Sequence, residues 1–193
     1  MDPRRILILD GHPDPKADRF CHALAKAYGE GAAHAGHVVH RISLSELDFP
    51  ALASRMEWEE ETPCPAIRAF QDELVWAQHL VVIYPLWLGS MPARLKALFE
   101  QAFRPDFAFG GKAASPGAGQ LKGRSARIIV TMGMPGVIFR TVFFSHSLMA
   151  FRRGMLALLG FGPIRDTVIG GVETRKDRDR LLGRMAAMGV RAA

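Results

Sequence analysis

The chain has 193 residues, of which 49% are hydrophobic and 23% are charged, a length and mixture typical of one globular domain with a buried core. With 19 glycines and 12 prolines it is neither collagen-like nor a low-complexity polymer. Twenty-five Lys and Arg against 19 Asp and Glu give a formal net charge of +6. This excess favours an anionic partner, namely nucleic acid, a phosphorylated cofactor or an acidic membrane face.

Two features indicate the compartment. The two cysteines, Cys21 and Cys64, provide neither a disulfide framework nor a C-x-x-C motif. The first residues lack the apolar core of a secretory signal, and the chain contains no run of 18 apolar residues. We therefore expect a cytoplasmic protein in a reducing environment.

Short apolar runs that end in turn residues and are followed by a helical period recur along the chain. They predict strands at 6–9, 37–42, 80–84, 128–130 and 167–169. The strongest runs are continuous rather than alternating, as in a sheet covered on both faces. Because strands alternate with helices, right-handed βαβ units and a parallel sheet are expected.

Five strands and five helices in one unit of this size predict an α/β fold. We expect a flavodoxin-like, doubly wound, five-stranded parallel sheet in three αβα layers, rather than a dinucleotide-binding Rossmann sheet. All of 1–193 is expected to form a single domain, because neither a linker nor an internal repeat is found. In such sheets ligands bind at the carboxyl ends of the strands.

The stretch 104–123 has little regular pattern. Loops longer than about 12–15 residues are uncommon in compact domains and are usually lids, binding loops or disordered. Phe107 and Phe109 near its start predict a lid or another segment that docks on a surface, whereas a surface excursion is nearly as good an interpretation of the Gly-rich half.

The first strand is followed by a loop at 11–19, called here the first loop, which leads to a helix N-terminus. Free N–H groups and the helix dipole attract anions there. The loop has no Ser or Thr and matches neither phosphate-binding fingerprint, so its donors would be main-chain groups and the side chains of His12, Lys16 and Arg19. The alternative is a helix capped by Asp18 with Lys16 and Arg19 in solvent. The sequence alone leaves both open.

Two further loops follow predicted strands. The third loop, 85–92, combines apolar side chains with free main-chain groups and suits a flat, hydrogen-bonding heteroaromatic, although Trp87 alone would be expected in the core. The fourth loop, 131–136, offers the hydroxyl of Thr131 and a glycine, Gly133, that permits close approach of a ligand. Because the three loops meet at one crevice, they predict a binding site together.

Other candidate sites are weaker. On a strand His37 and His40 point to opposite faces, so we expect no metal site there. Cys21 lies in an apolar helix face and is expected to pack rather than to act as a nucleophile. The charges of 175–180 alternate in sign, which is typical of a solvated helix face, and interleaved aromatics are missing. We therefore expect no nucleic acid partner.

The segment 84–96, with 107–109 after it, resembles the NAD(P)H:quinone oxidoreductases of the flavodoxin-like fold, which include the ancillary oxidoreductases of bacterial potassium-efflux systems. The Gly-His-Pro opening at 11–13 fits the same family. The resemblance covers 6–109 well and continues more loosely to Val172.

The resemblance implies a flavoenzyme that carries FAD or FMN and passes hydride from NADH or NADPH to a quinone-like acceptor in a ping-pong, two-electron reaction. Its flavin phosphate would lie at the first loop and its ring along the third and fourth loops, where the third loop donates main-chain hydrogen bonds. The implied cofactor contacts are His12, Arg19, Phe20, Cys21, Pro85, Leu86, Trp87, Leu88, Thr131, Met132, Gly133 and Met134.

The resemblance also concerns the partner and the substrate pocket. In the family the segment matching Phe107 and Phe109 reaches across a dimer interface to cover the partner's flavin, which implies a homodimer with both rings in the substrate pocket. Where the family commonly has a Tyr facing the flavin, this chain has Phe139, and His146 is the nearest match to a following His. His146 or water is then the implied proton donor.

Two alternatives stay open. One is a flavin-bearing regulatory subunit docked on a membrane potassium-efflux transporter, with turnover incidental. The other, a one-electron carrier, is less favoured because such carriers are commonly acidic and lack the Phe-bearing segment. The first loop is longer than in better-known members, which leaves FMN and FAD both open.

Overall fold

A computed structural model describes residues 2–110 and 121–192, which form a five-stranded parallel sheet with helices on both faces. The order of the strands is β2-β1-β3-β4-β5, and every described pair is parallel. The strands are β1 (Arg5–Asp10), β2 (Val38–Ser43), β3 (His79–Pro85), β4 (Ser125–Thr131) and β5 (Ile164–Ile169). The predicted fold class is confirmed, and the strand order reverses between β1 and β3, where such sheets bind ligands.

Helices cover both faces of the sheet. Core residues from α1 and α8 pack on one face, and core residues from α3, α4 and a π-helical segment, Ala150–Ala157, pack on the other. The α-helices are α1 (Phe20–His34), α2 (Arg55–Glu60), α3 (Pro65–Trp76), α4 (Ala93–Ala102), α5 (Pro105–Phe109), α6 (Gly136–Thr141), α7 (His146–Met149) and α8 (Arg178–Val190). None of the helices within 2–110 and 121–192 has the length and apolar character needed to cross a bilayer.

The burial of the strands explains the continuous apolar runs. In β1, Ile6 and Ile8 belong to the core under α1 and α8, whereas Leu7 and Leu9 belong to the opposite core. All four side chains are fully buried. The edge strands β2 and β5 are only partly buried, and their sequences accordingly carry the weaker apolar signal.

The predicted loop 104–123 differs in the structure. Part of it is regular, because α5 begins at Pro105, a residue favoured in the first helical turn, and is followed by Gly110 as the C-cap, with φ of +73°. Residues 111–120 of the predicted lid lie outside the described part of the chain. The mostly apolar stretch 137–159 is divided into α6, α7 and the π-helical segment.

Candidate functional site

The first, third and fourth loops meet at the carboxyl ends of β1, β3 and β4. The N–H of Gly11 donates to Ile83 O at 2.7 Å, and a Cβ atom at Gly11 would lie only 2.8 Å from Leu95 Cδ2. A larger residue here would require Leu95 to shift and would crowd Ile83 O, 3.0 Å from the added Cβ atom. The ring of His12 stands edge-on to that of Trp87, with 5.8 Å between the centroids. The structure thus brings the three predicted loops together.

The N-terminus of α1 is open to an anion. Arg19 occupies the N-cap position without a side-chain cap, and Asp18 is exposed, so the alternative of a helix capped by Asp18 is wrong. The N–H groups of Phe20 and Cys21 have no main-chain partner among the described residues. The Arg19 guanidinium is held by Asp14, with Nη2 2.6 Å from Oδ2, so Arg19 is only partly available to a ligand.

His12 is a neutral hydrogen-bond donor in this loop. Its side chain is 8% exposed, and burial, the largest of several causes, lowers the pKa of His12. Nδ1 accepts the N–H of Asp14 at 3.1 Å. The proton of the neutral ring therefore lies on Nε2, which can donate to a ligand oxygen.

A partly buried network of polar side chains around Asp10 supports the first loop. The carboxylate of Asp10 is fully buried and accepts from His22 Nδ1 at 2.7 Å and from Arg41 Nη2 at 2.6 Å. His22 Nε2 also donates to Asp14 O at 2.9 Å. Both partners of His22, the Asp10 carboxylate and the Asp14 carbonyl, are acceptors. The only sequence signal for this network was an Asp at the end of an apolar strand.

The third loop contains a strained two-residue turn. Trp87 and Ser90 exchange N–H···O bonds of 2.8 and 2.9 Å, and the φ angles of Leu88 and Gly89 between them are +48° and +80°. Positive φ at both central residues is the pattern of a tight hairpin, but for a leucine it costs on the order of 1–3 kcal/mol. Trp87 is 48% exposed and Leu88 is fully exposed, so the alternative of a core Trp87 is wrong.

The number of free main-chain donors in this loop is smaller than expected. Pro85 has no N–H, Leu86 N–H donates to Thr131 O at 2.7 Å, and Trp87 N–H closes the hairpin. Of the four predicted cofactor contacts from Pro85 to Leu88, only Leu88 retains an N–H without a partner in the described part of the chain.

The fourth loop offers two further donors. The N–H of Met132 is used by Ile169 O at 2.9 Å, whereas no described residue accepts from the N–H of Gly133 or Met134. Gly133 is exposed and lies close to the carboxylate of Glu173, because a Cβ atom on Gly133 would be 3.3 Å from Oε1. This loop therefore presents main-chain donors at the surface of the crevice.

The side chains of Cys21 and Thr131 contact each other and are not free to contact a ligand. Their Sγ and Oγ1 atoms are 3.3 Å apart, and the side chains are 1% and 4% exposed. Burial raises the pKa of Cys21 to about 12, so the thiol is unreactive at neutral pH. Cys21 packs, as predicted, and its cofactor contact is reduced to its main-chain N–H. The predicted Thr131 hydroxyl contact is corrected in the same way, since the hydroxyl is buried against the thiol.

The other predicted site residues differ in their burial. Phe139, expected to face the crevice, is 1% exposed and belongs to the core beneath α3 and α4. His146 is exposed at the start of α7, with its ring 5.7 Å from that of Phe144. Phe107 and Phe109 are half-buried on α5 and pack against the same core.

A group of exposed apolar side chains, which no sequence pattern indicated, follows the fourth loop. We call it the α6–α7 surface; it consists of Val137, Ile138, Val142, Phe143 and Phe144. Phe144 and Ser145 have φ angles of +49° and +52°. Exposed apolar residues in a group of this kind commonly mark a ligand or partner surface.

An apolar cavity of about 620 Å³ lies elsewhere. It is lined by residues of α2, α4 and the π-helical segment, including Trp58, Phe99 and Met155, together with Phe109. None of its lining residues comes from the three loops. Among 2–110 and 121–192, no three His, Cys, Asp or Glu side chains are grouped to hold a metal ion.

Comparison with known proteins assigns the family. A family model described as "Flavodoxin-like fold" matches residues 4–188. The chain belongs to this family. An NAD(P)H:quinone oxidoreductase from Methanothermobacter marburgensis has the same fold, with a TM-score of 0.81 and 21% identity over 98% of this chain and 96% of that one. An FMN-dependent NADH-azoreductase from Bacillus anthracis, solved with FMN, has a TM-score of 0.70 and 16% identity over 97% of both chains.

The matches to curated relatives cover only part of the length of those proteins. A ribosyldihydronicotinamide dehydrogenase-like protein of Penicillium crustosum is 27% identical over 155 residues, which are 67% of this chain and 57% of that protein. An FMN-dependent NADH:quinone oxidoreductase of Ruegeria pomeroyi is 28% identical over 80 residues, 42% of this chain and 39% of that protein. The matches thus span less than two thirds of the relatives' length.

Proposed function

We propose that this chain is a flavin-dependent oxidoreductase that transfers hydride from NADH or NADPH to a quinone-like acceptor. The observation that carries the proposal is one crevice with an open helix N-terminus at one end and free main-chain donors beside an exposed Trp87 at the other. An anionic tail and a flat, hydrogen-bonding ring fit these two ends. The names of the Ruegeria pomeroyi and Bacillus anthracis proteins, both FMN-dependent, support a flavin.

The residues present fit such a cofactor. The N–H groups at the start of α1, the Nε2–H of His12 and the exposed Lys16 would hold the phosphate. Leu88 N–H would meet the edge of the ring, and the N–H groups of Gly133 and Met134 would meet its pyrimidine end. A bound flavin supplies the hydride chemistry itself. The fixed N–H dipoles of the chain would stabilise the negative charge that this chemistry develops.

Exposed apolar side chains on the third loop and after the fourth loop bear on substrates and partners. Trp87, Leu88 and the α6–α7 surface are exposed, so donor and acceptor would enter the same space in turn, as a ping-pong reaction requires. A second copy of the chain would cover these apolar side chains and form a homodimer. Both cysteines are free thiols, which fits the expected reducing cytoplasm.

The proposal is tested on the purified protein. We expect a yellow protein whose released cofactor has the mass of FMN or FAD, and which consumes NADH or NADPH when menadione is added. A colourless protein that binds neither flavin, or a flavin-loaded protein without menadione-dependent turnover, would contradict the proposal.

A further inference from the structure

A polar cavity of about 580 Å³ lies on the β2 side of the first loop. Pro15 and Ala17 form the wall that it shares with this loop, and α1 contributes Lys26. The carboxyl end of β2 and the turn that follows contribute Arg41, Ser43, Ser45 and Glu46. The three-loop crevice does not use these side chains, apart from the support that Arg41 gives to Asp10.

The polar side chains of this cavity leave several donors for a ligand. Among the described residues Arg41 bonds only Asp10, through Nη2, which leaves its other N–H groups for a ligand. Within 2–110 and 121–192 the closest ionic partner of Lys26 is Glu30, at 3.8 Å on the exposed helix surface. The hydroxyls of Ser43 and Ser45 are 2.8 Å apart; since one donates to the other, one hydroxyl hydrogen remains.

The cavity lining carries two cationic side chains, Lys26 and Arg41, of which Arg41 also pairs with the buried Asp10. His22 lines the cavity too, with both ring nitrogens directed at acceptors within the protein. Glu46 is the one carboxylate among the described lining residues. Guanidinium, ammonium and hydroxyl donors together are the groups that proteins use for phosphate monoesters. A carboxylate at the rim suits the hydroxyl or amino group of an attached nucleoside.

The size and place of the cavity restrict the ligand further. Its volume lies in the range of about 300–1,000 Å³ that is typical of sites for whole small molecules, far more than one phosphate needs. In the order β2-β1-β3, the ends of β2 and β3 are two strand spacings apart, which is about 10 Å. A dinucleotide whose nicotinamide lies near the third loop can span that distance.

We propose that this cavity binds the adenosine 2′-phosphate end of NADPH, and that the chain therefore prefers NADPH to NADH. The inference rests on the proposed function, because it assigns a donor to that reaction. Lys26 and Arg41 would hold the 2′-phosphate, and Glu46 would accept a hydrogen bond from the nucleoside.

The test is calorimetric and uses the protein as purified, with whatever flavin it carries. Adenosine 2′,5′-bisphosphate should bind at least about tenfold more tightly than 5′-AMP, because a charge-assisted phosphate contact has that size. Lys26→Ala should weaken binding of the bisphosphate by at least about threefold and leave 5′-AMP unchanged. Lys26→Arg should restore it. Arg68→Ala, at an exposed position of α3 outside the cavity, should behave like the unaltered protein.

Kinetics distinguish this inference from the proposed function. In a protein that turns over, Lys26→Ala should raise the KM for NADPH and change neither the KM for NADH nor the flavin content. Equal affinity for the two nucleotides, or no effect of Lys26→Ala on the bisphosphate, would overturn the inference even if the enzyme is active. Inorganic phosphate that competes as well as the bisphosphate would reveal a phosphate site only, and would overturn it too. Absence of flavin or turnover contradicts the proposed function, whereas the calorimetry still tests the cavity.

Discussion

At the level of single residues, the third loop departs from two common preferences, the burial of large apolar side chains and negative φ angles for residues other than glycine. It places a tryptophan and a leucine in solvent, and it holds the leucine at a positive φ that L side chains rarely adopt. Such violations persist where a binding surface needs them and the surrounding structure enforces them. Here the paired hydrogen bonds between Trp87 and Ser90 enforce the turn.

Replacing Trp87 tests this interpretation. Because the side chain is half exposed, Trp87→Asp should change the free energy of unfolding by no more than about 0.5 kcal/mol. The charged side chain should nevertheless lower flavin retention, since it removes the apolar surface beside the ring. Bound flavin is measured by absorbance, and folding by urea titration. Trp87→Phe, which keeps a flat ring, should retain its flavin and stay yellow. A Trp87→Asp variant that is as yellow as the unaltered protein would show that the third loop does not lie beside the flavin.

At the level of elements, two glycines fix the position of α1. A Cβ atom at Gly31 would lie 2.1 Å from Ala186 O of α8, and one at Gly189 would lie 2.1 Å from Tyr28 O of α1. The two backbones therefore touch, which other residues would prevent. This contact holds α1, and with it the open N-terminus, against α8.

Gly31→Ala should therefore destabilise the protein by about 1–3 kcal/mol or more, because the methyl group meets a backbone carbonyl that cannot rotate away. Gly183→Ala in α8 is the matched control. No atom lies within 4 Å of its added Cβ, so the helix should gain up to about 1 kcal/mol. Urea titration of the two variants provides the measurement. If they prove equally stable, the close contact between α1 and α8 is wrong.

How well each element could be predicted follows from its burial. β1, β3 and β4 were evident because they are covered on both faces and carry unbroken apolar runs. β5 is partly exposed and begins at Ile164, before its predicted start at 167. The ends of the helices within 137–159 could not be predicted from the sequence. The chain turns there through positive φ angles at Phe144 and Ser145, and residues other than glycine give no sequence signal for such angles.

At the level of the whole molecule, the amino edge of the sheet carries a buried histidine. His79 is 2% exposed, with Nδ1 2.7 Å from Ser125 Oγ and Nε2 3.2 Å from Tyr28 OH. Burial first, and then the charges of arginines including Arg4 and Arg127, lower the pKa of His79 to about 3.

This pKa makes the stability of the fold depend on pH. The unfolded histidine titrates near its ordinary value of 6.5, so below that pH the unfolded state takes up a proton that the folded state refuses. The contribution of His79 to the free energy of unfolding is therefore fully present above about pH 6.5 and is lost as the pH decreases toward 3. The loss between pH 7 and 5 is about 2 kcal/mol. Urea titrations at both pH values measure the loss.

His79→Gln provides the comparison, because the amide can still bond Ser125 or Tyr28 but does not titrate. The variant should be less stable at pH 7 by about 1–3 kcal/mol, with a smaller decrease from pH 7 to 5. An equal decrease in both proteins would assign the pH dependence to other groups.

The exposed apolar side chains near the crevice predict the state of association. We expect a dimer in sedimentation velocity, because a second copy can bury Phe144 and Leu88. Phe144→Asp should shift the equilibrium to monomer. Met56→Asp, on α2 and 61% exposed, should leave it unchanged. A monomeric unaltered protein at micromolar concentration would contradict the homodimer.

The sequence by itself determined the parallel sheet and the three loops, because continuous apolar strands and the turn residues after them are local signals. Only the tertiary structure decided which groups of those loops are free. It used the N–H groups of Leu86 and Trp87 and buried Cys21 against Thr131. It also placed Asp10 among partners from α1 and β2. These pairings join residues far apart in the chain, and the physical reason they escaped prediction is that a buried polar group takes its partner from whichever element packs beside it.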